Sequence, residues 1–288
     1  MGLLGKFLVP TKHYGDIMFR HIAVFGIPGS GKTTLALSLG AILERKIRRR
    51  MPFICIRCLK LEDAINFLFK LPSKEKPKEG YLYIIVDDAE RYAFGRKVSL
   101  SAKATMEHDI VRHRLKVAGF KRGIVCINYV TQRYMNLATT LRNAQVLFFK
   151  PSMTTDPREQ EILEKVLGRR GIRYLSRLNM LYALGIEEYL NMSLVRFTFL
   201  PLGPNNPIVL MITPKMPSHY YDLWFPPADH TSLKEREDWI KLRQLLASRK
   251  LVNVRYKRKD WLAINRELLD KHKILSLIHI SEPTRPLY

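Results

Sequence analysis

The sequence predicts an α/β fold, a parallel sheet with helices on both faces. Three observations carry that prediction. Apolar runs suited to buried strands alternate with runs of helical spacing, a glycine-rich loop joins the first strand to the first helix, and a later apolar run ends in carboxylates.

The first strand is read at His21-Ile22-Ala23-Val24-Phe25 and the first helix over residues 34–47. Between them Gly26-Ile27-Pro28-Gly29-Ser30-Gly31-Lys32-Thr33 is a complete G-x-x-x-x-G-K-[ST] phosphate loop. Glycines let successive backbone N–H groups approach phosphate oxygens without a Cβ in the way, and the helix that follows adds the positive end of its dipole. The loop, with Thr34 in the first helical turn, is therefore assigned to a nucleoside triphosphate. Lys32 is expected to reach the β- and γ-phosphates, and the Thr33 hydroxyl to ligate the magnesium that bridges them.

After a basic run from Arg45 to Arg50, a strand is expected through Cys58, a helix over residues 62–71 and a Lys/Pro-rich turn over 72–80. Cys55 and Cys58 form a C-x-x-C, but positions three apart on a strand face opposite sides, so they are read as structural thiols, like Cys126. The run Tyr81-Leu82-Tyr83-Ile84-Ile85-Val86-Asp87-Asp88 is a strand that delivers carboxylates beside the phosphate loop. Asp87 is assigned to magnesium, through water. Asp88, or Glu90 beyond it, is assigned to orient or deprotonate the attacking water.

A helix over 103–117, a fourth strand over 123–128 and a fifth over 144–149 complete the alternation. Beyond 150, helices are expected over 158–167 and 172–190, and β-rich pieces over 194–200 and 208–212 flank a turn at 201–207, either extending the sheet or forming a small lid. The chain thus divides into a core with its sheet extension over 1–215, a basic helical appendage over 216–274 and a tail over 275–288. Runs of Lys and Arg at 45–50 and 257–259 are the most obvious basic clusters.

Composition bounds the partners. The 288 residues are 47% hydrophobic, enough for one large core, and 49 Lys and Arg against 26 Asp and Glu give a formal charge of +23. That excess points to a polyanion. Three cysteines exclude a disulfide framework, and no apolar run reaches the roughly 18 residues that span a bilayer, so a cytoplasmic location is expected.

The phosphate loop, Asp87-Asp88, Val111-Arg112-His113-Arg114, the fourth strand leading to Thr131-Gln132-Arg133, and Thr140-Leu141-Arg142-Asn143-Ala144 before the fifth strand together resemble the HerA–FtsK group of DNA-pumping ATPases. The resemblance covers roughly residues 20–150. That group includes viral genome-packaging motors, conjugation coupling proteins and Zot-like phage proteins. It implies an additional-strand (ASCE) P-loop NTPase fold, hydrolysis of ATP with Mg2+, and movement along double-stranded DNA. It also implies a homo-oligomeric ring, usually a hexamer. Gln132 matches the polar residue that contacts the γ-phosphate or its water, with Asn128 a nearby alternative. Arg142, Arg112 or Arg114 would supply the arginine that completes a neighbour's site. Where such ATPases commonly place Glu after the magnesium-binding Asp, this chain has Asp88.

Packaging of viral or mobile-element DNA, with a capsid or portal partner, is the specific expectation, since the chain begins almost at its first core strand and carries no membrane anchor. A Zot-like or conjugation-type transfer ATPase, a P-loop kinase and a non-DNA remodelling ATPase are the alternatives. A GTPase is disfavoured, because no Asn-Lys-x-Asp motif follows a late strand. From about Leu275, Ser276-Leu277-Ile278-His279-Ile280-Ser281-Glu282-Pro283-Thr284-Arg285 resembles a translated sequencing adaptor, so the tail is read as foreign to the natural protein.

Overall fold

The computed structural model describes residues 3–9, 16–47, 50–70, 77–91, 98–152, 156–185, 191–200 and 209–212. The appendage expected over 216–274, the tail over 275–288, the turn at 201–207 and the basic cluster at 257–259 lie outside them.

The described elements run α1 (Leu3–Leu8), β1 (Ile17–Phe25), α2 (Lys32–Ile47), β2 (Phe53–Cys58), α3 (Leu61–Lys70), β3 (Glu79–Val86), α4 (Val98–Val117), β4 (Arg122–Thr131), α5 (Thr139–Arg142), β5 (Val146–Phe149), α6 (Pro157–Ala183), β6 (Met192–Phe197) and β7 (Val209–Ile212). Among the described residues they form one seven-stranded sheet in the order β2-β3-β4-β1-β5-β6-β7. β1 to β5 are parallel, and β6 and β7 continue the sheet antiparallel. This is an α/β P-loop NTPase fold of the additional-strand type. The inserted strand is β4, which lies between the loop-bearing β1 and the acid-bearing β3, whereas β2 forms the edge.

Near-continuous burial of β3 and β4 follows from helices covering both faces. On one face Leu35, Leu39 and Leu43 of α2 pack with Val24, Tyr83 and Val130, and Leu8 and Val9 at the end of α1 join them. On the other, α3, α4 and α6 bring Ile65, Leu115 and Leu163 onto Ala23, Ile84 and Ile127. Cys55 and Cys58 face opposite sides of β2, in different cores, and burial pushes both thiols far above their ordinary range.

Two expectations beyond residue 150 meet the described residues directly. The helices expected over 158–167 and 172–190 are the two halves of α6, which meet at a break at Gly168 (φ 66°, ψ 171°), a positive φ that a residue with a Cβ rarely adopts; residues 186–190 of the second lie outside the described residues. The β-rich pieces extend the sheet rather than forming a lid, because β6 pairs with β5 along Val146–Phe149.

A histidine pair is built into the α4 side. The His21 and His108 rings lie 4.8 Å apart, and His108 Nδ1 is 3.0 Å from the Tyr129 hydroxyl. His21 Nε2 has no hydrogen-bond partner among the described residues. Burial, and for His21 also the neighbouring His108, holds both below their ordinary values. Both are thus neutral in the fold and gain protons on unfolding. Stability should fall as pH drops below about 6.5, the unfolded value, by at most about 1.4 kcal/mol per pH unit for each ring. Denaturant melts between about pH 7.5 and about pH 5.5 should show a smaller loss for His21→Phe than for the parent. An equal loss would remove the pair from the acid response.

Candidate functional site

The site is assembled where β1, β3 and β4 end together. Gly26, Gly29 and Gly31 take φ of 155°, 75° and 79°, and Gly29 and Gly31 lie in the left-handed region that a Cβ disfavours. At Gly26 space decides as well: a Cβ would fall 2.6 Å from Lys150 Cβ and 2.7 Å from Ser30 Oγ. The loop is moored by backbone bonds from Gly26 N to the Gln132 carbonyl at 3.2 Å and from Ile27 N to the Pro151 carbonyl at 2.9 Å. The ends of β4 and β5 therefore hold the cradle in shape. Pro28 and Gly29 are exposed at its tip, and Thr34 is half-buried in the first turn of α2. Ser30 Oγ is buried without a hydrogen-bond partner among the described residues.

Lys32 is buried and donates to the Ile27 carbonyl at 2.8 Å. Burial lowers its pKa, while Asp87, Asp88 and Glu90 oppose that shift. Thr33 Oγ1 donates across β4 to the Asp87 carboxylate, 3.1 and 3.2 Å from its two oxygens. A hydroxyl and a carboxylate are thus presented together, the hard oxygen pair that suits a magnesium ion. Asp88 adopts φ 49°, and its N–H donates to Asp87 Oδ1 at 3.1 Å. A left-handed non-glycine residue costs on the order of 1 kcal/mol, and that local bond helps to hold it there.

Glu90 lies in a short 3-10 turn, Ala89–Arg91, beyond Asp88. Its Oε2 accepts three hydrogen bonds, from Thr131 Oγ1 at 3.1 Å, Gln132 N at 3.2 Å and Asn136 Nδ2 at 3.0 Å. Gln132 is half-buried just past β4, its N–H on Glu90 and its carbonyl on Gly26. The polar residue and the phosphate loop therefore share one backbone unit.

The other expectations fare differently. Asn128 is fully buried on the α2 face, donating to the Tyr83 hydroxyl at 2.8 Å, which donates in turn to the Ala36 carbonyl. It is a core residue and no alternative to Gln132. Arg112 pairs with Asp16 before β1, at the opposite end of the strand from the loop, and Arg114 bonds Asn66 Oδ1 of α3 at 2.8 Å. Arg142 donates to Thr139 Oγ1 at 2.8 Å and lies 5.5 Å from the Tyr134 ring centroid. Arg45 and Lys46 of the first basic run close the last turn of α2.

Two residues escaped the sequence reading. Arg57 of β2 donates to Asp87 Oδ2 through Nε at 2.9 Å and NH2 at 2.6 Å. Because Arg57 pairs with Ile85, it is the diagonal neighbour of Asp87 on the α2 face. A cation interrupting an apolar strand was the available signal. Lys150, just past β5, is fully buried beside Gly26, donates to the Met192 carbonyl at 2.9 Å, and is brought down to about 7 by burial.

Arg57 both aligns Asp87 and sets a positive charge beside the carboxylate assigned to magnesium. Arg57→Met should therefore bind magnesium more tightly, lowering the concentration that half-saturates binding of a fluorescent ATP analogue, while slowing turnover. An unchanged magnesium curve would reduce Arg57 to a structural partner of Asp87.

No protein-family model matches the chain, and no curated protein matches it significantly. Solved structures similar to it include the genome packaging NTPase B204 from Sulfolobus turreted icosahedral virus 2 in complex with sulfate. That match is 14% identical with a TM-score of 0.43, over 67% of this chain and 95% of that one. The same protein in complex with ATP-gammaS matches at 14% identity and a TM-score of 0.41, over 68% and 96% of the two chains. B204, the DNA-packaging ATPase from Sulfolobus Turreted Icosahedral Virus, also matches at 14% identity and a TM-score of 0.41, over 69% and 98%.

Proposed function

We propose that this protein is an ATP-hydrolysing DNA translocase of HerA–FtsK type that packages viral or mobile-element DNA. The observation that carries the reading is the pairing of Thr33 with Asp87 beneath the phosphate loop, with Gln132 joined through its backbone to both Glu90 and Gly26. The +23 charge supports a polyanionic partner. Among the described residues no helix is long and apolar enough to cross a membrane.

The residues fit magnesium and a triphosphate. Thr33 and Asp87 offer the oxygen donors for the ion, and the buried Ser30 hydroxyl and glycine backbone the donors for phosphate oxygens. When bound, the ion neutralises charge on the phosphate oxygens. Lys32 adds a cation on the same groups. Asp88 is the residue we assign to orient and deprotonate the attacking water, because Glu90 Oε2 already accepts three hydrogen bonds and is thereby fitted to hold Gln132 in place. Gln132 would then sense the γ-phosphate or its water. In a ring of copies, usually six in the group, Arg142 is the residue assigned to a neighbour's site, where its charge would offset that developing on the γ-phosphoryl group. A capsid or portal protein would anchor the ring, in the cytoplasm of a host cell.

Steady-state hydrolysis with and without duplex DNA tests this reading. Lys32→Ala should abolish turnover. Gln132→Ala and Asp88→Asn should keep ATP binding while slowing hydrolysis by about 100-fold or more, the range for a lost proton-transfer or charge-stabilising group. DNA should stimulate the parent, and added salt should weaken that stimulation. Turnover that depends on Lys32 but ignores DNA would instead favour a kinase or a non-DNA remodelling ATPase.

A further inference from the structure

Beyond the kink at Gly168, α6 carries Arg169, Arg170, Arg173 and Arg177, all exposed, and no acidic residue occurs from Arg169 to Gly185. The acidic residues of this helix, Glu159, Glu161 and Glu164, all precede the kink. Arg170, Arg173, Tyr174 and Arg177 follow the i, i+3, i+4, i+7 spacing of one helix stripe. Arg170 and Arg177 flank the Tyr174 ring, their guanidinium carbons 5.9 and 6.0 Å from its centroid. None of the four arginines is in an ion pair among the described residues, although Lys165 of the same helix pairs with Glu161. The opposite face is fixed, since Leu175 and Leu178 are buried in the core.

The same half-helix is tied to the phosphate loop. Asn179, two residues past Arg177, accepts from Ser152 N at 2.8 Å and donates back to the Ser152 carbonyl at 3.1 Å. Ser152 follows Pro151, whose carbonyl accepts from Ile27 N of the loop. A short chain of backbone and amide hydrogen bonds thus joins the arginine face to the nucleotide cradle.

We propose that this face of α6 is the surface that grips the phosphate backbone of duplex DNA, and that the Asn179–Ser152 clamp transmits that contact to the phosphate loop. The inference rests on the DNA-translocase reading and names the contact within it. Charge complementarity selects the occupant: unpaired guanidinium groups with no acid among them suit phosphates, to which Arg binds by paired hydrogen bonds. Length agrees. From Arg170 to Arg177 the helix advances about 10 Å, which spans about three phosphates of one strand at roughly 3.4 Å of axis each. The stripe contacts no base edge by this account, as suits a protein that must move along any sequence.

The test measures the affinity of a short labelled duplex against salt for the full chain, for Arg170→Gln/Arg173→Gln/Arg177→Gln and for the matching triple Lys variant. ATP-analogue binding reports that each is folded. The Gln variant should bind DNA more weakly, with the slope of log affinity against log salt reduced by about 3, at 0.9 per lost phosphate contact, and the Lys variant should retain most of the slope. Asn179→Ala should bind DNA like the parent yet lose DNA stimulation of hydrolysis. A Gln variant with the parent's affinity and slope would overturn the surface while leaving the DNA reading intact, and would turn attention to an acidic protein partner for α6. A parent that binds no duplex would overturn both.

Discussion

The fold depends on one geometric constraint: with β4 inserted between β1 and β3, the phosphate loop and Asp87 end two strand spacings apart, about 10 Å. No group on either strand spans that gap alone. Thr33 does so because α2 begins at Lys32, immediately after the loop, and folds back over the α2 face of the sheet. Its hydroxyl therefore meets the Asp87 carboxylate only if the order β3-β4-β1, the start of α2 and the end of β3 are all correct. Arg57 adds a third strand to that junction, since the parallel register of β2 on β3 sets it diagonally beside Asp87 on the same face.

A second junction lies one strand nearer. Glu90 gathers Thr131, Gln132 and Asn136 onto one carboxylate oxygen, and Gln132 in turn holds Gly26. Any change at the end of β3 is thus felt at the end of β4 and in the loop through bonds of ordinary length. Pro151 and Ser152 extend the linkage to α6. Hydrogen-bonded chains of this kind couple sites when one member can adopt two arrangements. Asp88, between Asp87 and Glu90, is the non-glycine residue with a positive φ among the described residues.

Much of this was legible in the sequence, for a local reason. A phosphate loop needs particular residues within eight consecutive positions, and a buried parallel strand ending in an acid is a contiguous pattern, so Gly26 to Thr33 and Asp87 could be read without a partner strand, whereas Gln132 was reached only through the family resemblance. Arg57 could not be assigned, because its role depends on the register of β2 against β3, which no local pattern encodes. Asn128 misled for the converse reason. Being polar and near the end of an apolar run, it stood as the alternative to Gln132, but it pairs with Ile85 on the α2 face, where its amide nitrogen donates to the Tyr83 hydroxyl. The two helical runs on either side of Gly168 were legible as separate helices, because the periodicity stops where its non-helical backbone breaks α6.

A double-mutant cycle on Thr33 and Asp87 tests the central geometry most directly, read as binding of a fluorescent ATP analogue in the presence of magnesium. Thr33→Val and Asp87→Asn should each weaken magnesium-dependent binding, and together they should weaken it by little more than the worse single change, because both act on one ligand set. Full additivity of the two losses, or singles that bind like the parent, would contradict the account.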